Sequence, residues 1–283
     1  MTLSGPEIHR LLSEHGIHPS KALGQNFVAD PNTVRRIARL AGVSAGSRVL
    51  EIGPGLGSLT LALLEAGAEV VAVEIDRRLA GALADLLPAD APVRVIEGDA
   101  LRLDWRPWFA GDDGRGDPWT LVANLPYSVA TPVVLHALEE APEIGSALVM
   151  VQREVADRLV ATPNTPAYGA VSVRVAYFAE ASIVGQVPAS VFIPRPKVES
   201  SLVRIVRRDS PAVDPALVGY ERFDAVVRAG FGHRRKMLRR SLAGVVEPAA
   251  FVAAGVAPTA RAEDLDVARW GRLAAVVGGR SDA

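Results

Sequence analysis

Five short apolar runs rich in β-branched residues recur along this chain of 283 residues. They cover residues 48–52, 70–75, 93–98, 119–124 and 147–152. Nearly continuous apolar runs are typical of strands buried on both faces, as in a parallel sheet. Between them, residues 59–68 and 77–87 repeat apolar positions at i, i+3 and i+4, which predicts helices. The alternation predicts an α/β fold with an open parallel sheet and right-handed crossovers.

The pattern changes after the fifth run. Two more runs of β-branched residues predict strands that finish the sheet as a hairpin-like edge, over residues 170–178 and 200–208. Residues 209–215 then form a proline-rich polar connector, and helical patterns dominate beyond it. The sequence therefore predicts a first domain over residues 1–208, partly mobile over residues 1–30, and a small helical domain over residues 209–283.

Composition excludes several classes of protein. Cysteine is absent, which rules out disulfide scaffolds, thiolate zinc sites and cysteine nucleophiles. The histidines near the N-terminus lack the pattern with carboxylates that a metal site needs, so no metal is expected. The N-terminus carries charges where a signal peptide would be apolar, and the longest uncharged stretch, residues 119–138, contains prolines and polar residues. We expect a soluble, cytoplasmic protein.

Charge is balanced over the whole chain but uneven locally. Lys and Arg number 31 and Asp and Glu 32, which gives a formal net charge of −1. Between Arg204 and Arg240, ten basic residues stand against four acidic ones. Such a basic sector is compatible with a nucleic-acid partner but does not establish one.

A glycine-rich loop, Gly53-Pro54-Gly55-Leu56-Gly57, follows the first predicted strand and leads into a helix. Glycine lets the backbone turn tightly and approach a ligand closely. A dinucleotide-binding loop would read G-x-G-x-x-G, but the sixth position here is Ser58. The loop thus suits a cofactor without a pyrophosphate, although such glycines also serve in plain strand-to-helix turns.

A ladder of residues stands at the ends of the first four predicted strands. Gly53, Glu74, Asp99 and Asn124 are separated by 21, 25 and 25 residues. Carboxyl ends of strands line the ligand crevice in open α/β sheets. There Glu74 can accept hydrogen bonds from a ribose diol and Asp99 one from an adenine amino group, although either acid alone could simply cap the next helix. Together they favour an adenosine cofactor without a phosphate cradle, namely S-adenosylmethionine.

The tetrapeptide Asn124-Leu125-Pro126-Tyr127 carries the most specific chemistry. The N6 amine of adenine is a poor nucleophile because its lone pair is delocalised into the ring. An asparagine oxygen and a carbonyl beside a proline can accept both N–H groups and orient the nitrogen toward a methyl donor. Tyr127 would stack on the extruded base. Phe192, on a proline-stiffened loop, could form the opposite wall, although a loop phenylalanine also commonly belongs to the core.

These residues resemble one family, the ribosomal small-subunit (16S) rRNA adenine N6,N6-dimethyltransferases. The resemblance covers most of the chain, through LGQNFVAD (23–30), LEIGPGLGSLT (50–60), VEID (73–76), GDAL (98–101), NLPYSVATP (124–132), MVQREVADRL (150–159), YGAVSV (168–173), VFIPRPKVESSLV (191–203), FGHRRKMLRRSL (231–242) and RAEDL (261–265). It implies a Rossmann-like methyltransferase domain, a helical C-terminal domain, S-adenosylmethionine as donor, and dimethylation of two adjacent adenines in the hairpin loop near the 3′ end of 16S rRNA.

The resemblance also implies roles for single residues. The cofactor would contact Gln25, Asn26, Val28, Gly53, Gly55, Glu74, Asp99 and Asn124. The target amine would be held by Asn124 and the Pro126 backbone, with Tyr127 and Phe192 flanking the base. Ser128 departs from the family, which often has asparagine there.

Basic residues would contact RNA, and the resemblance implies an immature small ribosomal subunit as partner of a monomeric enzyme. A predicted helix carries a positive stripe of Arg234, Arg235, Lys236, Arg239 and Arg240. Lys21, Arg195 and Lys197 would add contacts. The alternative is a solvated helix face.

Three other functions remain possible at this point. One is a 23S rRNA adenine methyltransferase of the macrolide-resistance type, which shares the cofactor ladder. Another is a nucleotide-dependent oxidoreductase, which Ser58 in the glycine loop disfavours. The third is an assembly factor that mainly occupies immature subunits without catalysis.

Overall fold

A computed structural model describes residues 2–20, 23–109, 118–126, 128–233 and 236–277. The chain divides into two compact units. The first contains residues 1–156 and 182–206, and the second contains residues 157–181 and 207–283. The predicted single division at residue 209 is therefore wrong for residues 157–181, which precede it in sequence but belong to the second unit.

The elements as far as the fifth strand of the main sheet alternate as the sequence predicts. In chain order they are α1 (Gly5–Glu14), β1 (Phe27–Val28), α2 (Pro31–Leu40), β2 (Arg48–Ile52), α3 (Ser58–Glu65), β3 (Glu69–Glu74), α4 (Arg77–Leu86), β4 (Val93–Glu97), α5 (Arg106–Phe109), β5 (Trp119–Asn124), α6 (Ala130–Glu140) and β6 (Ile144–Gln152).

The remaining elements are α7 (Arg153–Val160), α8 (Ala170–Phe178), β7 (Ala179–Val187), β8 (Phe192–Ile193), β9 (Ser200–Arg207), α9 (Tyr220–Phe231), α10 (Leu238–Ser241), α11 (Pro248–Ala253) and α12 (Val267–Val276). Short 3₁₀ turns lie at Ala189–Val191 and Ala262–Asp264. No helix within the described part of the chain is long and apolar enough to cross a membrane.

The main sheet has seven strands in the order β4-β3-β2-β5-β6-β9-β7. The five strands from β4 to β6 are parallel, which confirms the predicted Rossmann-like core, and β9 pairs antiparallel with β6. From β2 the chain first builds outward through β3 and β4. It then returns to place β5 on the other side of β2. The strand order therefore reverses between β2 and β5, and ligand crevices form at such a reversal.

Apolar packing covers the parallel strands, as their continuous apolar runs predict. Val49 of β2 and Val122 of β5 are fully buried in one cluster with Leu63 of α3 and Ile37 of α2. Helix α2 begins directly after Asp30, whose side chain caps it by accepting hydrogen bonds from N–H groups of the first turn. This packing fixes the ends of β2 and β5 in place.

The predicted strand over residues 170–178 is wrong, because these residues form helix α8. The Gly169 N–H donates to Ser172 Oγ at 3.1 Å, and that hydroxyl donates to the Arg158 carbonyl at 2.6 Å. Val173 and Tyr177, one helical turn apart, are buried in the core of the second unit. A local cap and tertiary burial together outweigh the β preference of the valines. The strand predicted over residues 200–208 is confirmed as β9, and its edge partner is β7.

The second unit is built from helices around one aromatic core. Trp270, Phe223 and Tyr177 are among its largest fully buried side chains. The single basic helix predicted across residues 234–240 is wrong. Helix α9 ends at Phe231, a turn follows, and Met237 is extended in an isolated bridge with Arg261 before α10 begins at Leu238.

Candidate active site

A cavity lies at the carboxyl ends of the parallel strands, beside the reversal of strand order. Every residue that the sequence assigns to the cofactor lines this cavity, as does Pro126: Gln25, Asn26, Val28, Gly53, Gly55, Glu74, Asp99 and Asn124. Strands β2, β3, β4 and β5 thus bring the four ladder residues together, and the segment before β1 forms another wall.

The glycine loop needs glycine for two separate reasons. Gly53, Gly55 and Gly57 all have positive φ angles, of 72°, 60° and 89°. In addition, a Cβ atom on Gly57 would lie 2.5 Å from Leu83 Cδ1, and one on Gly55 would lie 3.0 Å from the Phe27 ring. Side chains here would force the loop away from α4 and from the N-terminal segment.

Glu74 connects the glycine loop to the end of β3. Its carboxylate is 5% exposed, and its two oxygens accept from the Gly55 N–H at 2.9 Å and from the Asp76 N–H at 3.0 Å. Burial raises the pKa of Glu74, and hydrogen bonding from the backbone N–H groups of Asp76, Gly55 and Ile75 opposes that rise. Each oxygen keeps a second acceptor site, so the carboxylate can also receive the two hydroxyls of a ribose.

Asp99 caps the turn after β4 and also lines the cavity. Its Oδ1 accepts from the Leu101 N–H at 3.0 Å, so it caps the turn after β4. It also lines the cavity, and its other oxygen lies 3.5 Å from Arg102 Nε at the surface. The carboxylate is therefore held at the cavity wall by its own backbone turn.

The N-terminal segment, residues 23–26 before β1, is hydrogen-bonded to both sides of the cavity. Gln25 Nε2 donates to Asp76 Oδ2 at 3.1 Å, while its Oε1 accepts from the Ser20 N–H at 2.7 Å. Asn124 Nδ2 donates to the Asn26 carbonyl at 3.0 Å. This second bond sets the orientation of the Asn124 amide and leaves its Oδ1 as an acceptor for another group.

Phe192 does not lie where the sequence predicts. It belongs to strand β8, opposite Val28 of β1, and is only 4% exposed within the core of the first unit. It is not among the residues that line the cavity. The prolines at positions 194 and 196 follow the short strand rather than interrupt it, so they do not force Phe192 into a loop.

The basic residues predicted to contact RNA fall into two groups. Arg195 and Lys197 follow β8 and are exposed, as are Lys236 and Arg239 in the second unit. Lys21, Arg234 and Arg235 lie outside the described residues, as does Tyr127 of the tetrapeptide.

Ile75 and Glu51 are two residues of the cavity lining that the sequence patterns did not single out. Ile75 follows Glu74 and is 53% exposed, so it presents an apolar surface that can pack against a purine. Glu51 lies inside β2 and is 1% exposed. The signal for Ile75 was an apolar residue directly after the strand-end acid. The signal for Glu51 was an acid within an otherwise apolar strand.

Glu51 is the most deeply buried acid of the cavity wall. Burial and, to a smaller extent, the negative charge of Glu74 raise its pKa to about 8, although hydrogen bonding by the Thr60 hydroxyl opposes the rise. Its Oε2 atom is buried and has no hydrogen-bond partner among the described residues. A carboxyl group in this position holds a proton at neutral pH.

The cavity wall is acidic. Glu51, Glu74 and Asp99 line it, and the described lining contains no lysine, arginine or histidine. A site without basic residues suits a cation and disfavours a pyrophosphate. S-adenosylmethionine carries a sulfonium and an ammonium group, and the cavity suits it. Glu74 and Asp99 are available as acceptors for ribose and adenine, Ile75 offers an apolar surface, and the Glu51 Oε2 atom is a buried acceptor without a partner among the described residues. The fold and the site together define a Rossmann-like, S-adenosylmethionine-dependent methyltransferase.

Comparisons with known proteins identify the family. A family model described as ribosomal RNA adenine dimethylase matches residues 18–277. Ribosomal RNA small subunit methyltransferase A of Cutibacterium acnes is 49% identical to this chain, over 97% of this chain and 93% of that protein. The protein of the same name from Streptomyces avermitilis is 48% identical, over 96% and 93%. The chain belongs to the ribosomal RNA adenine dimethylase family.

Solved structures agree with this assignment. The 23S rRNA methyltransferase ErmE has a TM-score of 0.65 and 29% identity, over 89% of this chain and 99% of that chain. A dimethyladenosine transferase from Plasmodium falciparum has a TM-score of 0.68 at 24% identity, over 86% and 94%, and shows that the fold is shared.

The first prediction concerns the stability of the cofactor-free protein. Because Glu51 has a raised pKa in the folded state, folding retains a proton that the unfolded chain releases above pH 4.5, and its stabilising effect is lost as pH rises toward about 8. Glu51→Gln cannot ionise, so the difference in melting temperature between variant and wild type should increase over this interval in favour of the variant. A difference that stays constant with pH would contradict the assignment.

The second prediction concerns Glu74. Glu74→Gln replaces one backbone-accepting oxygen with an NH₂ group, which disrupts the loop contact and one ribose acceptor. We expect the affinity for S-adenosylmethionine, measured by calorimetry, to fall by about 10- to 100-fold, as for loss of one or two charged hydrogen bonds. Glu97→Gln is the matched control, because Glu97 pairs with Glu74 in the sheet register but is exposed. Equal losses in both variants would remove Glu74 from the cofactor site.

Proposed function

We propose that this protein transfers methyl groups from S-adenosylmethionine to N6 of two adjacent adenines in the hairpin loop near the 3′ end of 16S rRNA. Its relatives at 45–49% identity are named small-subunit methyltransferases, which supports the 16S over the 23S target. The observation that carries the chemistry is the orientation of Asn124, whose amide nitrogen is bonded to the Asn26 carbonyl.

The proposed reaction needs orientation more than a strong base. The bound cofactor supplies an electrophilic methyl group. Asn124 Oδ1 accepts one N–H of the target amine, and the Pro126 backbone accepts the other. Both acceptors draw the nitrogen lone pair out of conjugation and aim it at the methyl group. As the N–C bond forms and the S–C bond breaks, the nitrogen becomes positively charged, and its proton then leaves to solvent.

The base itself would be held by stacking. Tyr127 is proposed as one stacking partner, because in the sequence it follows Pro126, which lines the cavity. Phe192 is buried in the core and does not line the cavity, so it does not suit the role of the second wall. The aromatic side chain that flanks the other face of the base is therefore not assigned.

The RNA backbone would be bound by exposed basic residues of both units. Arg195 and Lys197 are proposed for the first unit, and Lys236 and Arg239 for the second. Lys21, Arg234 and Arg235 stay in the proposal on sequence alone. We propose that the substrate is a partly assembled small subunit, met in the cytoplasm by a monomeric enzyme. The alternative of a 23S rRNA target is tested by incubating isolated small and large subunits with labelled donor and mapping the modified bases by mass spectrometry.

The third prediction tests Asn124. Asn124→Ala removes the proposed amine acceptor, and we expect the single-turnover methylation rate to fall by about 100- to 1,000-fold, as for other oriented electrostatic contacts. Binding to small subunits should change little. Asn32→Ala, at an exposed asparagine of α2, is the control and should keep both properties. An equal loss of subunit binding in Asn124→Ala would mean that Asn124 supports the fold or the RNA contact instead.

The fourth prediction tests the basic residues of the second unit. If Arg239 contacts a phosphate, Arg239→Ala should reduce the slope of log affinity against log salt by about 0.7–0.9 in subunit binding. Arg10→Ala, which removes a similarly exposed arginine of α1 that pairs with Glu14, should leave the slope unchanged. An unaltered slope in Arg239→Ala would take Arg239 out of the RNA contact.

A further inference from the structure

Glu51 is an acid that the proposed methyl transfer does not use. It lies one residue before the end of β2, between Ala72 of β3 and Val122 of β5 in the sheet register. It is 1% exposed, yet it belongs to the cavity wall. Its Oε2 atom has no hydrogen-bond partner in the described part of the chain. A buried polar atom of this kind usually has a function or a missing partner.

The groups around Glu51 disfavour its ionised form. On β3, Glu74 is the acid whose charge acts on it, and Asp99 lies on the cavity wall after β4. From α3, the Thr60 hydroxyl acts in the opposite direction, because its hydrogen bonding lowers the pKa of Glu51, but burial outweighs this effect. Asn124, which follows β5, and Asn26 of the N-terminal segment are neutral amides. No basic side chain occurs in the described cavity lining, so no positive charge of the described wall compensates a negative charge on Glu51.

A bound cation changes this balance. In a low-dielectric cavity, a positive charge close to a carboxyl group strongly favours the carboxylate. We propose that Glu51 keeps its proton in the cofactor-free protein and releases it to solvent when the positively charged cofactor binds, so that the carboxylate and the cation pair inside the cavity. One O–H bond breaks, one proton leaves and no electron moves. The inference rests on the cofactor of the proposed reaction and not on its RNA target.

Coupling to a proton makes cofactor binding depend on pH. Where free Glu51 is protonated and bound Glu51 is ionised, affinity rises with pH by up to about tenfold per unit. The α-amino group of model peptides titrates near pH 7.7–8.0, so measurements between pH 6 and 7 lie below the ionisation expected for the cofactor's own amino group and report on Glu51. A cell with this enzyme would load the methyl donor less readily as its interior acidifies.

The test is calorimetry of S-adenosylmethionine binding to the full chain at pH 6.5, in two buffers with small and large ionisation enthalpies. The dependence of the observed heat on the buffer gives the number of protons released. We expect close to one proton for the wild type and for Glu97→Gln, and close to none for Glu51→Gln. Equal proton numbers for wild type and Glu51→Gln overturn the inference. A wild type that binds no S-adenosylmethionine refutes the cofactor assignment itself, which is a distinguishable result.

The demethylated thioether product locates the charge that Glu51 meets. It keeps the ammonium group of the donor but lacks the sulfonium charge. Proton release with the donor alone assigns Glu51 to the sulfonium, and release with both ligands assigns it to the ammonium; both results uphold the inference. If Glu51→Gln does not fold, difference infrared spectroscopy of the wild type replaces it. Loss of the band of a buried protonated carboxyl group on binding supports the proposal, and an unchanged band overturns it.

Discussion

Strands β2 and β5 are neighbours in the sheet although two complete strand–helix units separate them along the chain. This arrangement leaves a gap in the helical cover at their carboxyl ends, because the connections from β2 and β5 run to opposite sides. The glycine loop and Asn124 meet at this gap, with a Cβ position on Gly53 only 3.9 Å from the Asn124 carbonyl. The other parts of the site depend on this closeness. Glu74, at the end of β3, accepts a hydrogen bond from the Gly55 N–H of the loop, and the N-terminal segment forms another wall of the cavity.

The N-terminal segment links the two proposed ligand positions. Through Gln25 it is hydrogen-bonded to Asp76, which is close in sequence to Glu74, the proposed ribose acceptor. Through the Asn26 carbonyl it is bonded to Asn124, the proposed acceptor for the target amine. Strand β1 continues it into a two-stranded pairing with β8. A change in this segment would therefore affect cofactor and target together, even though few of its side chains are ionisable.

Much of the sheet and of the cavity lining could be predicted from the sequence, because strands buried on both faces consist of nearly continuous apolar runs. Five parallel strands and the ladder at their ends follow from pattern and spacing. The helix over residues 170–178 could not be predicted from its β-branched residues, because a hydrogen-bonded cap at Ser172 and burial in the second unit determine its helical form. The buried position of Phe192 depends on pairing with Val28, which lies far away in sequence. The protonation of Glu51 could not be predicted, because spacing carries no information about desolvation.

The acidic cavity wall has a consequence for how RNA can approach. Acidic residues line the cavity and its described lining has no basic residue, so a phosphate, whether of a nucleotide triphosphate or of the nucleic-acid chain, finds no favourable charge there. A purine ring has no net charge and needs no basic partner. For the proposed reaction, this charge pattern favours the entry of a nucleobase swung out of its stack over the entry of the sugar–phosphate strand that bears it.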